Sequence, residues 1–171
     1  PTPTATAKPV TDPTAEPTAA PEPSVQPYMS GYEEGGDKLF KPDRNMTRAE
    51  VATILSKLDS SFDENTEYNG DLYDVMDGSW YANYMKFAVS KGYISGYDDG
   101  TYRPNNVITR AEFAAMIARY IDIEQLSGED KFTDITEFDW CNKQINALAD
   151  ENIVSGYDDR TFKPANSITR A

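Results

Sequence analysis

The 171-residue chain predicts a mainly α fold of three tandem helix-turn-helix repeats, and three observations carry that prediction. First, Asp74, Trp80, Gly96, Pro104 and Thr109 each recur 60 residues later, as Asp134, Trp140, Gly156, Pro164 and Thr169. Equal offsets over several kinds of residue mark a structural repeat. Second, two stretches behind a Thr-Arg-Ala-Glu segment carry large apolar side chains at helical spacing. Third, the start of the chain differs in composition from everything after it, so the repeats form a unit of their own.

That opening stretch, residues 1–27, holds eight of the eleven prolines and six threonines, with Val10 and Val25 as its only large aliphatics. It has little to bury and favours extended polyproline II at about 3.1 Å per residue, which makes it a disordered spacer. With no basic-apolar leader ahead of it, the chain reads as a piece of a longer secreted polypeptide.

Each repeat is legible in order. Trp80 to Lys91 lacks Gly and Pro and sets Tyr81, Met85 and Ala88 at helical spacing, and the stretch from Trp140 sets Ile145, Leu148 and Ala149 likewise. This short first helix ends at Gly92 or Asn152, the residues that best tolerate the left-handed conformation. Next comes a tight turn and a brief extended piece expected to bury Phe40, Tyr102 or Phe162 just before a proline. The following Thr-Arg-Ala-Glu is a capping box, with Thr47 and Thr109 capping the helix start and Glu50 and Glu112 reaching back. Behind the caps, Val51, Ile54, Leu55 and Leu58 form one apolar stripe, and Phe113, Met116, Ile117, Tyr120 and Ile121 form another. Ala114, Ala115 and Ala118 permit close helix approach.

The expected domains are the linker 1–27 and repeats over 28–58, 72–121 and 132–171. The first repeat lacks a Trp-bearing helix, and its turn from Gly31 to Phe40 is three residues longer than that from Gly96 to Tyr102. In the third, Arg160 stands where the second has Gly100, and Thr169 is placed to cap a helix that the sequence does not reach. The two apolar stripes are therefore expected to lack a partner helix and to promote association.

Composition excludes several functions. The chain has no histidine and one cysteine, Cys141, so Ser-His-Asp and Cys-His catalysis, His-ligated metal and an internal disulfide are out. Its net charge of −13, of which residues 28–171 carry −11, argues against a nucleic-acid partner. Apolar runs are too short for membrane insertion. The acids lie mostly in turns and linkers, so no enzyme is expected. The Asp-Asp-Gly turns lack the alternating ligands of an EF-hand loop, so neither a metal nor a cofactor is expected.

The segment S-G-Y-D-D-G-T-Y-R-P-N-N-V-I-T-R-A-E, preceded by Asp74 and Trp80, resembles the S-layer homology (SLH) repeat, and the resemblance runs from Tyr28 to Ala171. It implies three repeats in pseudo-threefold arrangement around a central bundle of the capped helices, the third of which is missing here. It also implies non-covalent anchoring of an exported protein at the bacterial cell wall or surface layer, through a polysaccharide bearing pyruvate ketals. The other partner would be upstream domains of the same polypeptide.

An acidic chain has to attract an anionic glycan locally. Arg48, Arg110 and Arg170 sit in the first turns of the capped helices, where free N–H groups and the helix dipole favour an anion. The expectation is that each grips a carboxylate by a paired fork, while Trp80, Trp140 and the turn tyrosines Tyr32, Tyr97 and Tyr157 offer flat faces to the sugar. Two other readings stand beside it. The arginines could instead pair with acids such as Asp74 or Asp134, fixing one repeat on the next, with the tryptophans partly in the core. The grooves could also serve a partner protein in a surface assembly.

Overall fold

The computed structural model describes residues 27–68, 70–123, 130–137 and 139–171. Apart from Pro27, the expected linker lies outside the described residues. Two short strands, β1 (Tyr32–Glu34) and β2 (Asp37–Leu39), precede four helices: α1 (Arg48–Leu58), α2 (Ala82–Ser90), α3 (Arg110–Tyr120) and α4 (Asn142–Asp150). This is a mainly α chain with one small antiparallel hairpin.

The hairpin is the use made of the insertion in the first turn. Gly35 and Gly36 take φ of +63° and +91°, the left-handed geometry of a two-residue hairpin loop, and Tyr32 pairs with Leu39. Gly92 and Asn152 end α2 and α4 with φ of +74° and +58°. Arg160 carries φ of +62° where Gly100 carries +79°, so the third repeat places a side chain in a conformation that suits glycine.

Both capping boxes form. The Thr47 and Thr109 hydroxyls accept from the Glu50 and Glu112 N–H groups, and each glutamate accepts from the threonine N–H. The two helices' first-turn N–H groups find partners in the next repeat. Arg48 and Ala49 N–H donate to the Asn106 and Pro104 carbonyls, and Arg110 and Ala111 N–H donate to those of Asn166 and Pro164. Arg170 N–H reaches the Arg44 carbonyl at 3.1 Å in the same way. Three more bonds form a closed cycle: Ile108 N–H to Met46 at 3.0 Å, Met46 N–H to Ile168 at 3.0 Å and Ile168 N–H to Ile108 at 3.4 Å.

Two cores result. Val51 and Leu55 of α1 meet Met85 and Ala88 of α2 with Ile94 and Ile108, while Ala114 and Ala118 of α3 meet Ile145 and Leu148 of α4 with Phe162. Close approach is possible because α3 presents alanines there. The stripes are less buried than the spacing suggests: Val51, Leu55 and Met116 are buried, but Leu58 and Ile121 are exposed. Val51, Ile54, Leu55 and Leu58 line a cavity of about 560 Å³ between α1 and α3, with Phe113 and Ile117 on its walls.

The expectations for Phe40, for the starts of the short helices and for the tryptophans need correction. Phe162 is buried against Phe132, ring centroids 5.3 Å apart, and Tyr102 is half-buried, but Phe40 is exposed. Phe40 follows the hairpin and meets the Arg170 guanidinium 5.0 Å from its ring. The short helices start at Ala82 and Asn142, not at the tryptophans, and Tyr81 and Cys141 are the buried residues there. Trp80 and Trp140 are 62% and 60% exposed, so neither belongs to the core. The Thr169 hydroxyl donates to the Ala171 carbonyl at 2.7 Å and caps no helix among the described residues.

Candidate functional site

The arginines of the capping segments act first as stitches between repeats. Arg48 Nε donates to the Tyr102 carbonyl at 2.8 Å and Nη2 to Ser95 at 3.0 Å. Arg110 repeats this on Phe162 (2.8 Å) and Ser155 (3.2 Å), and Arg170 on Phe40 (3.0 Å) and Ser30 (2.6 Å). The carbonyls are equivalent in the three repeats, and two of the guanidinium's three nitrogens are spent on them. What remains is Nη1. In Arg48 it lies 3.4 Å from Glu112 Oε1, and in Arg170 it meets the Tyr32 hydroxyl at 3.1 Å.

Asp74 and Asp134 do not pair with these arginines. Asp74 accepts from the Tyr102 and Arg103 N–H groups at 2.9 and 2.6 Å, and Asp134 accepts from Phe162 and Lys163 at 2.7 and 2.8 Å. Those contacts hold Arg103 and Lys163 at φ of +48° and +56°. Held so, their cations lie 3.9 and 4.0 Å from the centroids of Tyr97 and Tyr157. Arg48 stands 4.7 Å from the Tyr97 ring and Arg110 5.2 Å from that of Tyr157, while Arg44 and Arg170 flank Tyr32 at 4.5 and 4.7 Å. The turn tyrosines are thus seats for cations, worth about 0.5–1 kcal/mol each at exposed sites. They are not the free flat faces the sequence suggested. The helix N-termini are not free for an anion either, since their N–H groups are taken by carbonyls and capping oxygens.

Two pockets nevertheless open at equivalent places. One, of about 640 Å³, has Trp140 at its lip, Tyr97 in its turn, Glu112 and Arg119 on the α3 wall and Arg48 at its base. The other, of about 320 Å³, places Trp80, Tyr32, Glu50, Lys57 and Arg170 in the same roles. Each pocket draws on three repeats, because the base arginine comes from one, the turn and helix from another and the tryptophan from the next. Arg110 and Tyr157 lie together without a tryptophan, and Arg110 lines the apolar cavity instead. Thr109 lines the larger pocket, and Thr47 lines neither.

The local electrostatics are set by Glu112. Burial raises its pKa, but the Tyr97 hydroxyl, the Thr109 N–H and Arg48 together bring it below the ordinary carboxylate value. Burial and the bond to Glu112 push the Tyr97 phenol up to about 12, so it stays a neutral donor at pH 7. Both carboxylate oxygens are occupied: Oε1 by Tyr97 and Arg48, Oε2 by the Thr109 N–H (2.9 Å) and hydroxyl (3.0 Å). A carboxylate so held orients its neighbours and has no oxygen left for proton transfer. What the pocket offers is an exposed indole, a half-buried phenol and guanidinium charge, a surface suited to binding a ring with an acidic substituent.

Sequence reasoning missed Arg119 and Lys57. The signal was present: Glu112, Ala115, Met116 and Arg119, like Glu50, Thr53, Ile54 and Lys57, stand at i, i+3, i+4 and i+7 and share one helix face. Ile54 and Met116 of these sets also belong to the apolar stripes, so the pattern alone does not separate the two faces.

The family model described as S-layer homology domain matches residues 28–52, 74–114 and 131–171. The chain is 37% identical to a cellulosome-anchoring protein of Acetivibrio thermocellus over 141 residues, which is 78% of this chain and 31% of that protein. It is 35% identical to cell surface glycoprotein 1 of the same organism over 148 residues, 79% of this chain and 6% of that protein. An amylopullulanase of Thermoanaerobacterium thermosulfurigenes is 33% identical over 141 residues, 79% of this chain and 7% of the enzyme. The chain therefore spans less than a third of the length of each of these relatives. With three segments matched in register with the repeats that build the two pockets, this chain belongs to the S-layer homology domain family.

Proposed function

We propose that this chain anchors an exported protein non-covalently to the bacterial cell wall or surface layer by binding an acidic wall polysaccharide that bears pyruvate ketals. The observation that carries the reading is the pair of equivalent inter-repeat pockets, each with an exposed tryptophan above a guanidinium. An indole stacks on a sugar ring, and a cation in a partly desolvated pocket favours a carboxylate on it. Relatives named for anchoring and for the cell surface support the location. No described helix is long and apolar enough to cross a membrane. A match to only 7% of an amylopullulanase fits a module carried alongside a catalytic region, with no chemistry of its own. The closed cycle of backbone bonds through Met46, Ile108 and Ile168 supports a pseudo-threefold arrangement of the repeats, which would repeat the pocket around the molecule.

Sedimentation of the chain with purified wall polysaccharide tests the reading. The wild type is expected to bind the polymer and to lose most of its affinity once the ketals are removed by mild acid. Trp80→Ala combined with Trp140→Ala is expected to lower binding at least tenfold while leaving the melt unchanged, because both side chains are exposed. Undiminished binding by the double variant overturns the pocket assignment.

A further inference from the structure

We infer that Arg119 is the carboxylate-reading residue of the Trp140 pocket, and that this pocket, rather than the one under Trp80, is the principal site for the acidic sugar. The inference rests on the glycan-binding reading above and assigns it a residue and a place.

Arg119 and Lys57 hold the same position in the last turns of α3 and α1, nine residues after Arg110 and Arg48. Their circumstances differ. Lys57 Nζ donates to the Pro27 carbonyl at 3.2 Å and lies 5.5 Å from the centroid of the Tyr84 ring. Arg44, also near the Trp80 pocket, is bound to Glu50 at 2.7 Å and to the Tyr32 hydroxyl. Arg170 spends Nη1 on Tyr32. The cations of that pocket are thus already paired with parts of the chain.

The Arg119 carbonyl accepts from the Asp122 N–H at 3.3 Å, but among the described residues its guanidinium makes no hydrogen bond or ion pair. It is half-buried on the wall of the larger pocket, facing Arg48 across the base. Burial and the Arg48 charge both disfavour its charged form, and no described carboxylate offsets them. Three acids face the same pocket: Glu112, with both oxygens occupied, and Asp98 and Asp139, which are exposed. Asp139 is turned onto the Thr136 N–H at 2.7 Å and hydroxyl at 2.9 Å. An anion placed between Arg119 and Arg48 Nη1 would relieve their mutual repulsion and regain for Arg119 the solvation that burial removed. Its fork is uncommitted, so it can meet a carboxylate with two parallel bonds, which Lys57 cannot do.

A merely structural cation at a helix C-terminus would serve the dipole equally in α1 and α3. The test therefore compares the two positions on two polymers: wall polysaccharide with its pyruvate ketals intact, and the same preparation after mild-acid removal. Expected for Arg119→Ala is at least a tenfold loss of affinity for the intact polymer, residual binding to the stripped polymer equal to wild type, and an unchanged melt. Arg119→Lys should recover part of the loss, and Lys57→Ala should stay within twofold of wild type on both. If the wild type binds both polymers equally, or neither, the glycan reading itself fails. If the wild type prefers the intact polymer and Arg119→Ala keeps that preference, the assignment of Arg119 fails alone. It also fails if Arg119→Ala weakens binding to both polymers by the same factor, or if Lys57→Ala is as damaging.

Discussion

Arg48 shows how a residue recognised from its motif can carry a second task that the motif does not reveal. Its place in the first turn of a capped helix made it an anion ligand on paper, and it does stand at the base of a pocket. In the fold it is 4% exposed, and its Nε and Nη2 close the first repeat onto the second. Removing it strands two carbonyls and leaves Glu112 without its charge partner. Arg48→Ala is expected to cost roughly 2–3 kcal/mol. Arg110, which is less buried and lacks an acid partner among the described residues, should cost less on the same change. Urea denaturation of both variants measures the difference, and equal midpoints would contradict the stitching role. Trp140 runs the other way. A large aromatic beside a helix start usually packs inward, yet Cys141 takes the inward place and leaves the indole outside.

At the level of elements, the capping boxes were the most legible feature because every atom in them lies within three residues of sequence. Thr109→Ala is expected to destabilise by about 0.5–2 kcal/mol, since the Glu112 N–H loses its acceptor. Thr169→Ala, at the equivalent place but capping nothing described, should fall within about 0.5 kcal/mol of wild type. Thermal melts of the two variants check the contrast. The apolar stripes were legible as helices but not in what they face. A helix of this fold has three claims on its surface: one side takes the short helix, a second walls a pocket, and the third looks onto the cavity between α1 and α3. Helical periodicity reveals that a face is apolar, whereas its partner depends on the path of the other repeats. The hairpin was visible only as an insertion, because a Gly-Gly loop does not by itself say that its flanks will pair.

The molecule as a whole holds together through a cycle of backbone bonds and two cores, and it leaves an apolar cavity of about 560 Å³ bordered by exposed Leu58 and Ile153. Appending an amphipathic helix of about 15 residues after Ala171, patterned on α1 and α3, is expected to fill that cavity. The melting temperature should rise, and concentration-dependent association should fall. Calorimetry and light scattering on the two chains decide it, and identical behaviour would mean that the cavity needs no helix. The repeats, their caps, the left-handed helix ends and the tandem α architecture were determined by the sequence alone, because each rests on contacts between near neighbours or on the φ preference of one residue. Only the tertiary structure decided where the arginine forks are spent, why the tyrosines carry cations, and that Arg119 faces a pocket while Lys57 is tied down. Those outcomes depend on groups far apart in the chain, as between Ser95 and Arg48 or Tyr32 and Arg170, brought together only when the repeats close on one another.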